Sequence, residues 1–286
     1  IVEHSATPYT SACFSKLKIT PTVWAIHDFI KDRKVTGNPY NRTETFIRLH
    51  SYNYSIHRIN YLLPTSLHNK KLLLKDGVRP QNVFIKYNTV DTLSFFPDNT
   101  CEKSIDILFI GRFSVEKGVD ILIDATRYIP KNKRIVLIGD GPLKDKLMQQ
   151  AKNVNREIKF EGFVPFNELP FFIQRAQLVI APSRSECHAA VPLFAMACGV
   201  PVIASRVSGM EDTIENNKSG WLLKQNDAKT LGKLIEVVLS DDIKLKKTGQ
   251  EAFQRAQSFS EKKFSLEIVE FYQLLVKKHN KEFSSK

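Results

Sequence analysis

From residue 105 onward, the sequence alternates between short apolar runs and segments whose apolar residues recur at helical spacing. The first run, Ile105-Asp-Ile-Leu-Phe-Ile110, ends at Gly111, and residues 119–125 then show helical spacing. Such runs are typical of strands buried on both faces, and intervening helices favour a parallel sheet. The runs that predict its strands are 105–110, 134–138, 158–160, 177–181, 201–204 and 220–223. We therefore predict a Rossmann-like, doubly wound α/β domain over residues 96–260.

The first 95 residues show the same alternation over a shorter length. The segments that predict three strands and one helix are 22–26, 59–63, 82–85 and 41–57. A complete doubly wound domain needs more strands than these, and the sequence opens on the apolar pair Ile1-Val2 without an initiator methionine. We expect an incomplete Rossmann-like domain over 1–95 whose start is missing. A C-terminal helix and tail over 261–286 are predicted from apolar residues at helical spacing between Phe264 and Leu275.

The charge of the chain is positive and uneven. The formal net charge is +12 at pH 7, and residues 1–95 hold 13 basic against 6 acidic residues, which is more than half of the excess. A basic surface favours anionic partners, although a solvated basic surface without a specific partner is an alternative. The sequence shows no nucleic-acid motif. We therefore expect an anionic membrane surface, and no nucleic acid, among the partners.

The cysteines and the apolar stretches of the sequence indicate where in the cell the protein is expected. The most apolar stretch, 189–204, contains Pro192, Gly199 and Pro201, which do not fit a membrane-spanning helix. The first 30 residues lack the charged and apolar blocks of a signal peptide. The four cysteines are too few and too scattered for a disulfide scaffold; they are Cys13, Cys101, Cys187 and Cys198. We expect a cytoplasmic protein that associates peripherally with the inner face of the membrane.

The loop after the first strand of the second domain carries two cations. In Gly111-Arg-Phe-Ser-Val-Glu-Lys-Gly118, Arg112 and Lys117 lie on either side of a strand-to-helix turn. Such a turn sits at the carboxyl end of a parallel sheet, where these folds bind ligands. Two cations beside helix-terminal N–H groups suit a diphosphate. The alternative is an ordinary solvated arginine and lysine at the start of a helix.

A second loop places a carboxylate at the same edge. Pro182-Ser-Arg-Ser-Glu186 follows the fourth strand of the domain. Glu186 can stabilise an oxocarbenium-like centre or hold sugar hydroxyls, or it can be an acid favoured by a helix N-terminus. Cys187, His188 and Cys198 lack the further Cys/His pair that would complete four ligands, so no metal site is expected.

These motifs, in their order along the chain, closely resemble those of the group 1 (family 4) glycosyltransferases. The resemblance spans nearly the whole chain, and it implies a GT-B fold of two Rossmann-like domains facing a cleft. It also implies a nucleotide-sugar donor in the C-terminal domain, an acceptor in the N-terminal domain, retention of anomeric configuration, and no metal or other cofactor. The segments that carry it are Gly111-Arg-Phe with Glu116-Lys-Gly118, Gly139-Asp-Gly-Pro142, Phe160-Glu-Gly-Phe163, Pro182-Ser with Glu186, and Ala195-Met-Ala-Cys-Gly-Val-Pro-Val-Ile-Ala204.

The resemblance implies roles for residues at matching positions. Arg112 and Lys117 would bind the donor diphosphate, and Glu186 would hold the transferred sugar as a catalytic residue. His27, at the end of a predicted strand, would lie near the reacting centre, and its alternative is a hydrogen-bonded core histidine. Phe194 stands where the family usually has a second Glu that binds the ribose. The remaining donor-binding positions are Gly111, Phe163, Val164, Cys187 and His188.

The function implied is that of a retaining glycosyltransferase. It would move a hexose from a UDP- or GDP-sugar to a glycan or to a polyprenyl- or other lipid-linked acceptor. Phe194 and the short N-terminal part motivate the alternative of a degenerate, non-catalytic nucleotide-sugar-binding subunit or a partial gene product. A GT-B epimerase or phosphorylase fits the motif set less well.

Overall fold

The chain forms two compact units. The first unit combines Ile1–Asn88 with Lys262–Lys286, and the second unit spans Thr89–Glu261. That 1–95, 96–260 and 261–286 fold as separate domains stays a prediction. The computed structural model describes residues 2–4, 22–26, 50–186, 190–207, 209–224 and 227–284.

The first unit contains a three-stranded parallel sheet in the order β1-β2-β3. Its strands are β1 (Val2–His4), β2 (Thr22–Ile26) and β3 (Tyr61–Pro64), and its helices include α1 (residues 50–56) and α2 (Leu67–Lys75). Every residue of β2 is buried, as its apolar sequence predicts. In place of the strand predicted at 82–85, the structure has one bridge between Leu62 and Val83, directly after the 3-10 turn Pro80–Asn82.

The C-terminal helix, Glu261–Ser284, packs within the first unit. Ile268, Phe271 and Leu275 lie at helical spacing and contact a cluster that includes Leu63. The ring of Phe271 stacks on that of Phe84 with centroids 4.3 Å apart. The helical spacing predicted for this segment is therefore confirmed, and it serves packing against the sheet of the first unit.

The second unit is built on a six-stranded parallel sheet in the order β6-β5-β4-β7-β8-β9. Its strands are β4 (Ile105–Ile110), β5 (Ile135–Ile138), β6 (Lys159–Gly162), β7 (Ala176–Ala181), β8 (Val202–Ser205) and β9 (Trp221–Leu223). The predicted α/β class and the six predicted strands are confirmed. The strand order reverses between β4 and β7, and ligands of doubly wound sheets bind outside the carboxyl ends of the strands at such a switch point.

Helices pack against the sheet of the second unit. The hydrophobic core of this unit lies between the sheet and these helices. Ile107, Leu137 and Leu178 are fully buried strand residues in one core cluster with Leu122 and Leu231 from helices. No helix in the described parts of the chain is long and apolar enough to cross a membrane. The helices are α3 (Val119–Ala125), α4 (Lys144–Asn153), α5 (Leu169–Gln174), α6 (Ala190–Ala197), α7 (Met210–Thr213), α8 (Ala228–Leu239) and α9 (Asp242–Gln257).

Within the second unit, the edge strand β6 differs most from its predicted bounds. The sequence predicts this strand over 158–160, and in the structure it runs from Lys159 to Gly162. Lys159 is exposed and Glu161 is half-buried, so charged residues extend a strand that has a neighbour on one side only. A prediction based on apolar residues alone therefore makes this edge strand too short.

Candidate functional site

The loops that follow β4 and β7 meet at the switch point of the sheet. β4 ends at Ile110 and pairs in parallel with β7, which ends at Ala181, so their carboxyl ends lie side by side. The first loop contains the 3-10 turn Val115–Lys117, and the second contains Glu186. The parallel pairing thus brings together the two segments that carry the predicted cations and carboxylate.

Lys117 and Glu186 form an ion pair at the centre of this site. Lys117 Nζ lies 2.6 Å from Glu186 Oε2, and the side chains are 30% and 9% exposed. The hydroxyl of Ser183 also donates to Glu186 Oε2 at 3.3 Å. The sequence predicts that these two charged groups share one edge of the sheet, and in the structure they are in direct contact.

Arg112 lies on the same loop and is exposed to solvent. Its charge acts on Glu116, as does the charge of Lys117. Burial raises the pKa of Glu116, but its backbone hydrogen bonding and these two cations outweigh burial and hold the pKa below its ordinary value. Glu116 therefore stays ionised and offsets part of the positive charge of the loop.

Arg184 clamps the two loops together. Its guanidinium donates to both carboxylate oxygens of Asp120, at 2.7 and 2.5 Å, and to the carbonyl oxygen of Val115 at 2.8 Å. Its backbone N–H donates to the carbonyl oxygen of Glu116 at 2.8 Å. The hydrogen bonds with Asp120 raise the pKa of Arg184. This bidentate pair fixes the segment that ends at Glu186 against the turn that carries Lys117.

The motifs of the sequence do not predict Arg184 or Asp120 as site residues. The available signal was a basic residue inside Pro182-Ser-Arg-Ser-Glu186, two positions before the predicted carboxylate. Its acceptor lies 64 residues away along the chain. Nothing in the local pattern connects the two positions, because the contact depends on the pairing of β4 with β7.

We expect the clamp to contribute measurably to the stability of the second unit. A double-mutant cycle with Arg184→Ala and Asp120→Ala should give a coupling energy of about 1–2 kcal/mol in the free energy of unfolding, because the pair is bidentate and only about one-third exposed. Chemical denaturation of the four proteins measures it. Strictly additive effects of the two substitutions would show that the clamp does not stabilise the fold.

Gly118 allows the two loops to approach closely. Its φ is +65°, in the left-handed region that side chains disfavour, and a Cβ there would lie 2.0 Å from the carbonyl oxygen of Pro182. The clashing atom belongs to the backbone, so it cannot move aside cheaply. A glycine at this position therefore permits the geometry in which the turn of Lys117 abuts the loop of Glu186.

Phe194 takes part in an aromatic cluster. Its ring stacks on Phe95 with centroids 4.5 Å apart and meets Phe166 edge-on at 5.4 Å. Phe95 and Phe166 also contact each other edge-on at 5.3 Å. The position that the resemblance associates with a ribose-binding carboxylate is thus filled by a half-buried ring that packs against other rings.

The other predicted site residues have different placements. The backbone N–H of Gly111 donates to the carbonyl oxygen of Ile138 at 2.9 Å, which ties the start of the first loop to β5. Phe163, directly after β6, is 80% exposed, and Val164 beside it is partly exposed. Three further predicted positions lie outside the described residues; they are His27, Cys187 and His188.

The described ranges also bear on metal binding. There, no three His, Cys, Asp or Glu side chains come together in a group that could hold a metal ion. The expectation that the chain works without a metal stays a prediction.

The second unit matches a known protein family. Residues 91–255, more than half of the chain, match the family of glycosyl transferases group 1. An uncharacterized glycosyltransferase of Methanocaldococcus jannaschii is 34% identical over 170 residues, which are 59% of this chain and 48% of that protein. Glycogen synthase of Mycobacterium tuberculosis is 29% identical over 161 residues, which are 54% of this chain and 38% of that protein. The chain thus spans less than half the length of these relatives.

The fold of the chain is similar to that of solved structures. Anabaena HepE in complex with UDP and glucose has a TM-score of 0.81 and 22% identity, over 93% of this chain and 75% of that chain. Sucrose-phosphate synthase from Thermosynechococcus elongatus has a TM-score of 0.82 and 21% identity, over 96% of this chain and 73% of that chain. These neighbours have the GT-B fold, and the predicted fold class is confirmed.

Proposed function

The chain belongs to the group 1 glycosyl transferases, and we propose that it transfers a hexose from a UDP- or GDP-sugar to a glycan or lipid-linked acceptor with retention of anomeric configuration. The observation that carries this proposal is the Lys117–Glu186 ion pair, with Nζ and Oε2 2.6 Å apart at the switch point of the sheet. Arg112 lies on the same loop as Lys117. The site therefore combines cations for a diphosphate with a carboxylate for a sugar.

In the proposed reaction, the bond between the anomeric carbon and the donor phosphate oxygen breaks, and negative charge develops on the leaving diphosphate. Arg112 and Lys117 stabilise that charge. The acceptor hydroxyl attacks the anomeric carbon on the same face, and its proton passes to the departing phosphate oxygen. Glu186 holds sugar hydroxyls and stabilises the positive charge of the oxocarbenium-like centre. His27 is proposed to lie near this centre.

The ion pair suits both roles at once. An ammonium group has three donors, so Lys117 can keep its hydrogen bond to Glu186 while it donates to a phosphate oxygen. Glu186 is 8% exposed, and the ammonium group keeps its carboxylate charge compensated. We propose that the pair pre-organises the site before the donor binds, which reduces the cost of ordering two side chains on binding.

The proposal also assigns residues to the base of the donor and a class to the acceptor. Phe163, being largely exposed after β6, is available to stack on a base, with Val164 and Gly111 beside the donor and Cys187 and His188 near its phosphates. HepE was solved with UDP and glucose, which makes UDP-glucose the first donor to test. The basic first 95 residues favour an anionic membrane surface and a polyprenyl-linked acceptor at the inner face of the membrane.

A second candidate is a non-catalytic nucleotide-sugar-binding subunit. The observation that favours it is the packing of Phe194 between Phe95 and Phe166, because this ring offers no acceptor to ribose hydroxyls. Such a protein would bind a nucleotide-sugar weakly and transfer no sugar from it.

Transfer of radiolabelled sugar tests the two candidates. UDP-glucose and GDP-mannose should each be offered with a glycan or polyprenyl-phosphate acceptor, and we expect one donor to release its nucleoside diphosphate. Arg112→Ala should lower the rate about tenfold or more, since it removes one cation from the leaving group. Binding of UDP or GDP by calorimetry without any transfer would favour the non-catalytic subunit. If Arg112→Ala leaves the rate of sugar transfer unchanged, the proposal that Arg112 binds the donor diphosphate is wrong.

A further inference from the structure

A cavity of about 660 Å³ lies at the opposite end of the sheet of the second unit. Its wall includes Ile105 and Ile135, the first residues of β4 and β5, so it faces the amino ends of the strands. The candidate donor site lies at their carboxyl ends. The volume is within the range of about 300–1,000 Å³ typical of small-molecule sites. None of the residues proposed for sugar transfer lines this cavity.

The wall of the cavity carries an excess of positive charge. Five cationic side chains line it against two carboxylates, Glu157 and Glu161. Lys159 pairs with Glu161 at 2.8 Å. The cationic residues are Lys131, Lys133, Arg134, Lys159 and Arg175. The wall is therefore suited to an anion.

Asp106 beneath the wall fixes two of these cations. It is 5% exposed, and its carboxylate lies 3.5 Å from Lys133 Nζ and 3.1 Å from Arg134 Nε. Burial raises the pKa of Asp106, but hydrogen bonds from Arg134 and the charges of both cations outweigh burial and lower it. One ionised carboxylate thus holds two cations in place without neutralising both.

Arg175 and Lys131 have no such compensation. Within the described parts of the chain, neither side chain has a carboxylate within 4.0 Å. The guanidinium carbon of Arg175 lies 3.4 Å from the centroid of the Phe171 ring, and its Nη1 is buried without a hydrogen-bond acceptor among the same residues. A buried donor that lacks an acceptor is costly, and stacking on Phe171 holds this one in place beside the cavity.

We propose that this cavity is a second anion site that binds a phosphorylated ligand, with Arg175 and Lys131 as the principal phosphate contacts and Phe171 as an apolar wall. Phosphate suits the site because its oxygens accept several hydrogen bonds from guanidinium and ammonium groups at once. Phe171 is 53% exposed, so part of its ring is available to a sugar ring or another apolar part of the ligand. The proposal does not depend on sugar transfer.

Calorimetric titration with inorganic pyrophosphate tests this site in the full chain. The titration uses the Arg112→Ala/Lys117→Ala double variant, which removes the cations of the candidate donor site. We expect pyrophosphate binding to persist there and to weaken about tenfold or more when Arg175→Gln or Lys131→Gln is added, because each removes a charge-assisted hydrogen bond. Lys246→Gln, on an exposed position of α9, changes the net charge equally and should leave the affinity unchanged.

Two results would overturn the proposal. One is the absence of pyrophosphate binding in the Arg112→Ala/Lys117→Ala background, and the other is binding that Arg175→Gln and Lys131→Gln leave unchanged. Lys131 is exposed, so Lys131→Gln should fold normally and keeps the test valid if Arg175→Gln does not fold. Because the background lacks the donor-site cations, failure of this site is distinct from failure of sugar transfer.

A second arm distinguishes a free phosphorylated compound from a lipid headgroup. Sedimentation with phosphatidylglycerol vesicles is compared between the unmodified chain and the Arg175→Gln/Lys131→Gln variant. If the site binds headgroups, the substitutions should lower vesicle binding about tenfold, beyond the effect of Lys246→Gln. Equal vesicle binding, together with the loss of pyrophosphate affinity, would assign the site to a free phosphorylated compound.

Discussion

Replacement of Lys117 by alanine is expected to lower the rate of sugar transfer about 10²–10³-fold, which is the usual effect of removing one group that stabilises developing negative charge. The substitution also leaves Glu186, at 8% exposed, without its ammonium partner. The free energy of unfolding should therefore fall by about 1–3 kcal/mol. Transfer of labelled sugar and chemical denaturation measure the two effects separately.

Two controls separate chemistry from folding in this experiment. The Lys117→Ala/Glu186→Gln variant removes the buried charge as well, so it should regain part of the lost stability while transfer stays low. Lys218→Ala breaks another Lys–Glu pair, with Glu215 at 2.8 Å, whose lysine is 61% exposed, and it should leave transfer unchanged. Recovery of transfer together with stability in the double variant would mean that Lys117 and Glu186 are structural, and the proposed role would be wrong.

The sheet of the second unit is predictable because each strand carries its own signal. Ile107, Leu137 and Leu178 are fully buried, and a strand covered on both faces must be apolar along its length. Parallel strands joined by helices then leave few topologies, with the loops after successive strands at one edge. The sequence therefore indicates that Lys117 and Glu186 share an edge, although they lie 69 residues apart.

Other features depend on contacts that no local pattern encodes. The acceptor of Arg184 is Asp120, on the helix after a neighbouring strand. The sequence shows that Phe194 replaces a carboxylate, but only the structure shows that its ring stacks on Phe95. The cations of the second anion site are scattered along the sequence, and the sheet collects them because the amino ends of parallel strands also share an edge.

The edge strand β6 shows another limit of prediction from the sequence. In β6, Lys159 and Glu161 are charged, so the apolar run that marks a buried strand is interrupted. Edge strands tolerate and often require such residues. A prediction from apolar runs alone therefore recognises the central strands and makes the edge strand β6 too short.

Gly118→Ala is expected to destabilise the second unit by about 2–5 kcal/mol. About 1–2 kcal/mol comes from holding an L residue in the left-handed region at φ +65°. A further 1–3 kcal/mol or so comes from the Cβ, which would lie 2.0 Å from the carbonyl oxygen of Pro182 and force the two loops apart. Chemical denaturation should show the loss, and transfer should fall because Lys117 is the adjacent residue.

Gly162→Ala is the matched control for this substitution. Gly162 also has a left-handed φ, of +80°, but a Cβ there would meet nothing within 4 Å. Gly162→Ala should therefore lower the free energy of unfolding only by the backbone strain, about 1–2 kcal/mol. The difference between the two variants isolates the close approach of the loops after β4 and β7. Equal destabilisation would show that Gly118 is needed for its backbone conformation alone, and that the contact with Pro182 does not hold the Lys117–Glu186 pair in place.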